Sequence, residues 1–133
     1  MNQPLRRGSL LSPLPDGLCE EQIETLLESG RFRLERILSQ GQVSPEGFWF
    51  DQDTDEWVAL LRGAAAIEIE GRDLPLRLQP GDWVLLPKGL RHRVAYTAEA
   101  EVTVWLALHA DLLLEPPAPE KTRSLGETPE TPQ

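Results

Sequence analysis

The chain owns two histidines, His92 and His109, and one cysteine, Cys19. A lone cysteine excludes an internal disulfide and any multi-cysteine metal site. The chemistry to look for is therefore imidazole nitrogen beside carboxylate oxygen, the donor pair a first-row metal takes. Glu56 heads an apolar run, Trp57-Val58-Ala59-Leu60-Leu61, and a period of two puts it on one face with Val58 and Leu60. A carboxylate among core residues needs a cation or hydrogen-bond donors. His92 follows the turn Pro87-Lys88-Gly89 and shares a face with Val94 and Tyr96 by the same alternation. His109 closes the run that begins at Thr103, on the face of Trp105 and Ala107. It either points into an interior pocket or is a hydrogen-bonded residue at a strand end.

Three further features bear on a site. Asp51, Asp53, Asp55 and Glu56 make a dense acidic segment, but the glycine and the distal Glu of a calcium loop are absent, so a solvated turn is expected. Arg36 stands on the face of Phe32, Leu34 and Leu38. There it either pairs with an internal carboxylate or anchors an anionic substrate. The four tryptophans serve mainly as core. Trp105, on the face of His109, and Trp49, close to the acidic segment, are the two expected at a substrate.

The elements that position these residues are mostly strands. From Arg31 onward the hydrophobic period is two, over Arg31–Leu38, Gly47–Gln52, Glu56–Arg62, Ala64–Glu70, Leu74–Leu78, Trp83–Leu86, Arg91–Thr97 and Glu101–Leu108. Turn signals separate them at Gly63, Gly71-Arg72-Asp73 and Pro80-Gly81. Many short strands at regular spacing predict an all-β sandwich or barrel. Ahead of them, Asp16, the early Glu20, Glu21 and Glu24, the spacing of Ile23, Leu26 and Leu27, and Gly30 predict a short N-terminal helix. The proline-bearing ends, 1–16 and 113–133, are expected to be flexible, the second as a disordered acidic tail. The folded domain is then 17–112.

Two segments together resemble the paired motifs of the cupin family, as a small single-domain member of the cupin 2 conserved-barrel type. The second motif, G-x5-P-x-G-x2-H-x3-N, is matched by Gly81, Pro87, Gly89 and His92 at every spacing, with Tyr96 in the last place. Of the first, G-x5-H-x-H-x3-4-E-x6-G, Glu56 and Gly63 match at the required spacing, but the histidine positions hold Phe50 and Gln52 or, by the alternative spacing, Trp49 and Asp51. The resemblance implies a jelly-roll β-barrel with a central ligand pocket. It implies a divalent metal (Zn, Fe, Mn or Ni) on Gln52, Glu56 and His92, with His109 or Tyr96 assisting catalysis. Arg36, Trp49 and Trp105 would contact a small polar or carboxylated substrate. A metal-free binding or sensing module is the alternative, since two motif histidines are missing. The family also implies a homodimer, and the apolar outward residues Leu61 and Leu106 agree with it.

The chain has 133 residues, 40% of them hydrophobic, enough for one domain with a real core. Its net charge of −9 argues against nucleic acid or anionic membrane as a partner. No apolar run approaches the ~20 residues of a membrane helix, and no signal-type stretch follows Arg7, so a cytoplasmic small-molecule protein is expected.

Overall fold

A computed structural model describes residues 3–113. Eight strands run through them: β1 (Gln22–Glu28), β2 (Phe32–Ser39), β3 (Asp55–Arg62), β4 (Ala65–Ile69), β5 (Leu76–Leu78), β6 (Trp83–Leu86), β7 (His92–Thr97) and β8 (Thr103–Ala110). They form a five-stranded sheet, β1-β2-β8-β3-β6, and a three-stranded sheet, β5-β4-β7, antiparallel throughout. The main core lies between the inner faces, where Val58, Leu60, Ile67, Leu86, Trp105 and Ala107 are buried together. No helix among the described residues is long and apolar enough to cross a membrane.

The predicted N-terminal helix is absent, and its segment is strand β1. Ser29 donates to the Phe32 carbonyl (3.0 Å) and closes a tight turn that folds Gln22–Glu28 back on β2. Pairing with a ready sheet edge satisfies the backbone groups along this segment and overrides the local helical pattern. The register shifts between Thr25 and Leu27, so Leu26 is the irregular residue. That shift puts Ile23 opposite Ile37 and Leu27 opposite Leu34, on different faces. A spacing that resembles a helix is thus a strand with a bulge.

The strand predicted over Gly47–Gln52 is instead an irregular crossing held by one bridge. Phe50 and His92 exchange backbone hydrogen bonds of 2.7 and 3.2 Å, and Gly89 donates to the Gln52 carbonyl at 2.9 Å. The segment ahead of β1 has no regular element in its described part. Leu14 and Leu18 nevertheless pack on a second cluster formed by Leu38, Val102 and Val104. The tail predicted from residue 113 onward lies outside the described residues apart from Leu113.

Candidate functional site

Alternation on three neighbouring strands builds the floor of a cavity. β2 turns Arg33, Glu35 and Ile37 inward, β3 turns Glu56 and Val58 inward, and β8 turns Trp105 and His109 inward. The register then sets the neighbours. His109 on the central strand pairs with Arg33 on one side and with Glu56 on the other. β7 supplies His92 and Val94 from the opposite sheet, and the crossing before β3 supplies Phe50 and Gln52. The cavity volume is about 230 Å³. Its inner part is apolar, with Ile37, Val58, Ile67, Leu86, Val94 and Trp105, and its polar end holds Glu35, Glu56, His92 and His109.

At that end the side chains form a chain of contacts. His92 Nε2 is 3.5 Å from Glu56 Oε1, and His109 Nε2 is 3.9 Å from Glu56 Oε2 and 3.1 Å from Glu35 Oε1. Arg33 Nε donates to Glu35 Oε2 at 2.8 Å. All four residues of the two His–Glu pairs are buried. Ionised carboxylates survive burial only with such partners, since breaking a buried pair costs about 3–5 kcal/mol. His92 Nδ1 lies 3.1 Å from the Leu90 carbonyl, an acceptor only, so Nδ1 carries the hydrogen and Nε2 faces Glu56. Burial alone would push His92 down, but the Glu56 hydrogen bond, the Leu90 bond and the Glu56 charge together hold its pKa above the ordinary value. Burial and the nearby Glu35 charge raise the pKa of Glu21, at the cavity's edge, against the opposing hydrogen bond from Ser39.

Outside this chamber lies an open mouth lined by Ser29, Arg31, Asp51, Asp53 and Thr54, with Arg33, Gln52 and His109 shared between the two spaces. The acidic segment divides in function. Asp51 and Asp53 face solvent, whereas Asp55 is 1% exposed and accepts from the backbone amides of Lys88 (2.8 Å), Leu112 (2.7 Å) and Leu113 (3.1 Å). Those amides, Lys88 and Leu112 foremost, hold its carboxyl below the usual range against the cost of burial. It is a structural clamp between the turn before β7 and the end of β8.

Of the residues expected at the site, Gln52, Glu56, His92, His109 and Trp105 line the cavity. Arg36, Trp49 and Tyr96 do not, and each has a local reason. Arg36 shares a face with Leu34 and Leu38, but that face is the outer one, where its guanidinium pairs with Glu24 at 2.9 Å and donates to the Leu10 carbonyl. Tyr96 is turned out by a bulge: β4 pairs Ile67 with Val94 but Ala66 with Tyr96, so the alternation from His92 breaks at Ala95. Trp49 lies under the Arg91 guanidinium, 5.8 Å from ring centroid to cation. Sequence reasoning missed Arg33 and Glu35. Their alternation with Leu34 and Arg36 was visible, but both faces of β2 mix charged and apolar residues, so nothing local says which one turns inward.

Imidazole and carboxylate are donor types that suit a divalent ion, and Gln52 adds a carbonyl oxygen beside Glu56 and His92. Among the described residues no group of three or more His, Cys, Asp or Glu side chains is placed to hold one. His109 and Arg33 already occupy Glu35, and Phe50, where the motif would have a ligand, stacks on His92 at 5.4 Å between centroids.

No family model matches the chain, and no curated protein does either. Solved structures do. A "putative mannose-6-phosphate isomerase" from Ralstonia eutropha JMP134 is 47% identical, over 80% of this chain and 99% of that one, with a TM-score of 0.78. A cupin superfamily protein from Desulfitobacterium hafniense DCB-2 is 18% identical over 84% of this chain and 96% of that one, with a TM-score of 0.65. A cupin-2 domain containing protein from Shewanella frigidimarina NCIMB 400 is 23% identical over 67% and 79%, with a TM-score of 0.53. The last two speak for the fold alone.

Proposed function

The chain belongs to the cupin superfamily, and from that premise we propose that its barrel pocket binds a small polar molecule and moves a proton on it. The position of Glu56 carries this reading. It is a buried carboxylate with an imidazole on either side, 3.5 Å from His92 and 3.9 Å from His109, at the polar end of the cavity. A carboxylate in such company takes a proton from a ligand atom while an adjacent imidazole gives one to a neighbouring oxygen. Glu56 is then the base, His92 the donor, and His109 the second proton carrier, held in place by Glu35 and Arg33. The apolar inner wall receives the ligand's carbon skeleton and excludes water. The name of the Ralstonia relative supports this class, because aldose–ketose isomerisation is a proton transfer between adjacent carbons. With a sugar phosphate in the pocket, the partly exposed Arg33 is the cation that meets the phosphate.

A metal-dependent reaction at Gln52, Glu56 and His92 is the competing reading, and a metal-free binding or sensing module is the third. One set of measurements separates them. Wild type, Glu56→Gln and His92→Ala are incubated in D2O with mannose 6-phosphate, and exchange at the carbon next to the carbonyl is followed by NMR. The metal content of the same samples is measured in parallel. Exchange by metal-free wild type that falls about 100-fold or more in Glu56→Gln supports the proposal. Stoichiometric metal in wild type that is lost in His92→Ala assigns the pocket to metal chemistry instead. Saturable binding without exchange assigns it to the binding class.

A further inference from the structure

The cavity's two ends differ in chemistry. Arg33, Glu35, Gln52, Glu56, His92 and His109 gather at one end, and Ile37, Val58, Ile67, Leu86, Val94 and Trp105 wall the other. Only Trp105 carries a polar side-chain group on that apolar wall, and the group is already used. Its Nε1–H donates to Ser39 Oγ at 3.1 Å, and Ser39 in turn donates to Glu21 Oε2 at 3.3 Å on the cavity's edge. Among the described residues, the side chains of the apolar wall thus offer a ligand no free hydrogen-bonding group. A hydroxyl buried there loses its water and gains no partner. An apolar pocket disfavours one added hydroxyl by about 100-fold, and a hexose carries several. The cavity volume of about 230 Å³ sets the size. An apolar cavity of about 150 Å³ takes one benzene ring, and sites for drug-sized ligands begin at roughly 300 Å³. A branched chain or a single ring with a short polar head fits between these limits.

Resting on the proton-transfer reading above, we infer that the ligand of this pocket is a small 2-oxo acid with an apolar tail rather than a hydroxylated sugar phosphate. The head of such a molecule carries the groups that the polar end can meet. Arg33 gives only its Nε to Glu35, so among the described residues both its terminal nitrogens are without a partner. They receive the carboxylate through two parallel N–H bonds, the fork geometry that guanidinium and carboxylate share. Arg33 lines the mouth as well as the chamber, so the charged head stays near water while the tail runs inward. Arg33 and Glu56 stand in one cross-strand row on either side of His109, so a cation and a base address the same head. The step is then an enolisation. Glu56 takes the proton from C3, and the C–H electron pair becomes the C2–C3 double bond. The carbonyl pair moves onto oxygen, which takes the proton carried by His92 Nε2. Reversal returns both protons, and nothing is oxidised or reduced. The tail lies against the apolar wall, with Val94 and Ile37 beside it.

Isothermal titration of the full chain with 4-methyl-2-oxopentanoate, pyruvate and mannose 6-phosphate tests the ligand class. The branched acid binds wild type at least about 10-fold more tightly than either of the others, since a methylene in an apolar pocket is worth about 10-fold or more. Val94→Leu, at a half-buried position lining the cavity, takes up space that the tail needs. It weakens the branched acid about 10-fold, leaves pyruvate unchanged and keeps the far-ultraviolet circular dichroism of wild type. Arg33→Gln weakens both acids. Mannose 6-phosphate bound by wild type as tightly as the branched acid overturns the inference. So does equal affinity for the branched acid and pyruvate, or a branched acid that does not bind. Deuterium uptake at C3 in D2O, above the uncatalysed rate, reports separately on the proton transfer. Tight binding of the branched acid without uptake supports the ligand class and removes the proton transfer. Exchange on mannose 6-phosphate alone keeps the proton transfer and overturns the ligand class.

Discussion

His92 Nε2 faces Glu56 Oε1 across 3.5 Å while His92 Nδ1 is tied to the Leu90 carbonyl. Both groups around the ring are acceptors, so the contact to Glu56 is completed when Nε2 also carries a proton. Burial opposes that charge, the Glu56 and Leu90 bonds favour it, and the pKa of His92 ends above the ordinary 6.5. A raised folded-state value means that the pair's stabilisation is fully present below the unfolded value and is lost as pH rises through the folded one. In an NMR titration the His92 ring therefore titrates above 6.5 in wild type and lower in Glu56→Gln. The variant's loss of thermal stability is greater in mildly acidic than in alkaline buffer. A wild-type midpoint at or below 6.5 contradicts the assignment.

Glu35 is the hinge of the second pair, with His109 on one oxygen and Arg33 on the other. Its two partners are unequal. The Arg33 side chain is 42% exposed, so Arg33→Ala costs below about 1 kcal/mol. Glu35→Ala strips the buried His109 of its nearest acceptor and costs about 1–3 kcal/mol. Chemical denaturation of the two variants ranks them in that order, and the reverse order refutes this account of the cluster.

Gly63 shows what the last glycine of the first motif does. It joins β3 to β4 at φ +91°, and a Cβ there would lie 2.7 Å from the Thr103 backbone Cα. Strain and clash act together, and a backbone atom in a central strand has no room to yield. Gly63→Ala is expected to cost about 2–4 kcal/mol, seen as a lower midpoint in thermal or denaturant unfolding. A loss within about 0.5 kcal/mol of zero counts against this reading.

Asp55 binds three backbone amides from two separate segments. Those bonds hold its pKa below the ordinary 3.8, so its contribution is present above that value and disappears as pH falls through the lower, folded-state one. Asp55→Ala leaves buried donors unpaired and is expected to cost about 2–4 kcal/mol at neutral pH, a penalty that shrinks in strong acid. Measuring unfolding of both proteins across the acid range checks both the size and the direction.

The comparison with solved structures supports the cupin family that the residues 47–96 suggest, and the motif residues Gly63, Gly81, Pro87 and Gly89 sit at turns as their spacing requires. Period-two runs located seven of the eight strands, because alternation is a property of consecutive residues. Glu56, His92 and His109 were legible for the same reason, each on a face with core residues. Long-range pairing decided the rest. β1 is a strand because a sheet edge was available to it, against its own helical spacing. Tyr96 leaves the pocket because a bulge at Ala95 breaks an alternation that the sequence shows as continuous. Arg33 and Glu35 enter it, and Arg36 does not, because the β2–β8 register chooses which of two similar faces turns inward. Alternation alone defines two faces of a strand, and only packing against the other sheet says which one is the inside.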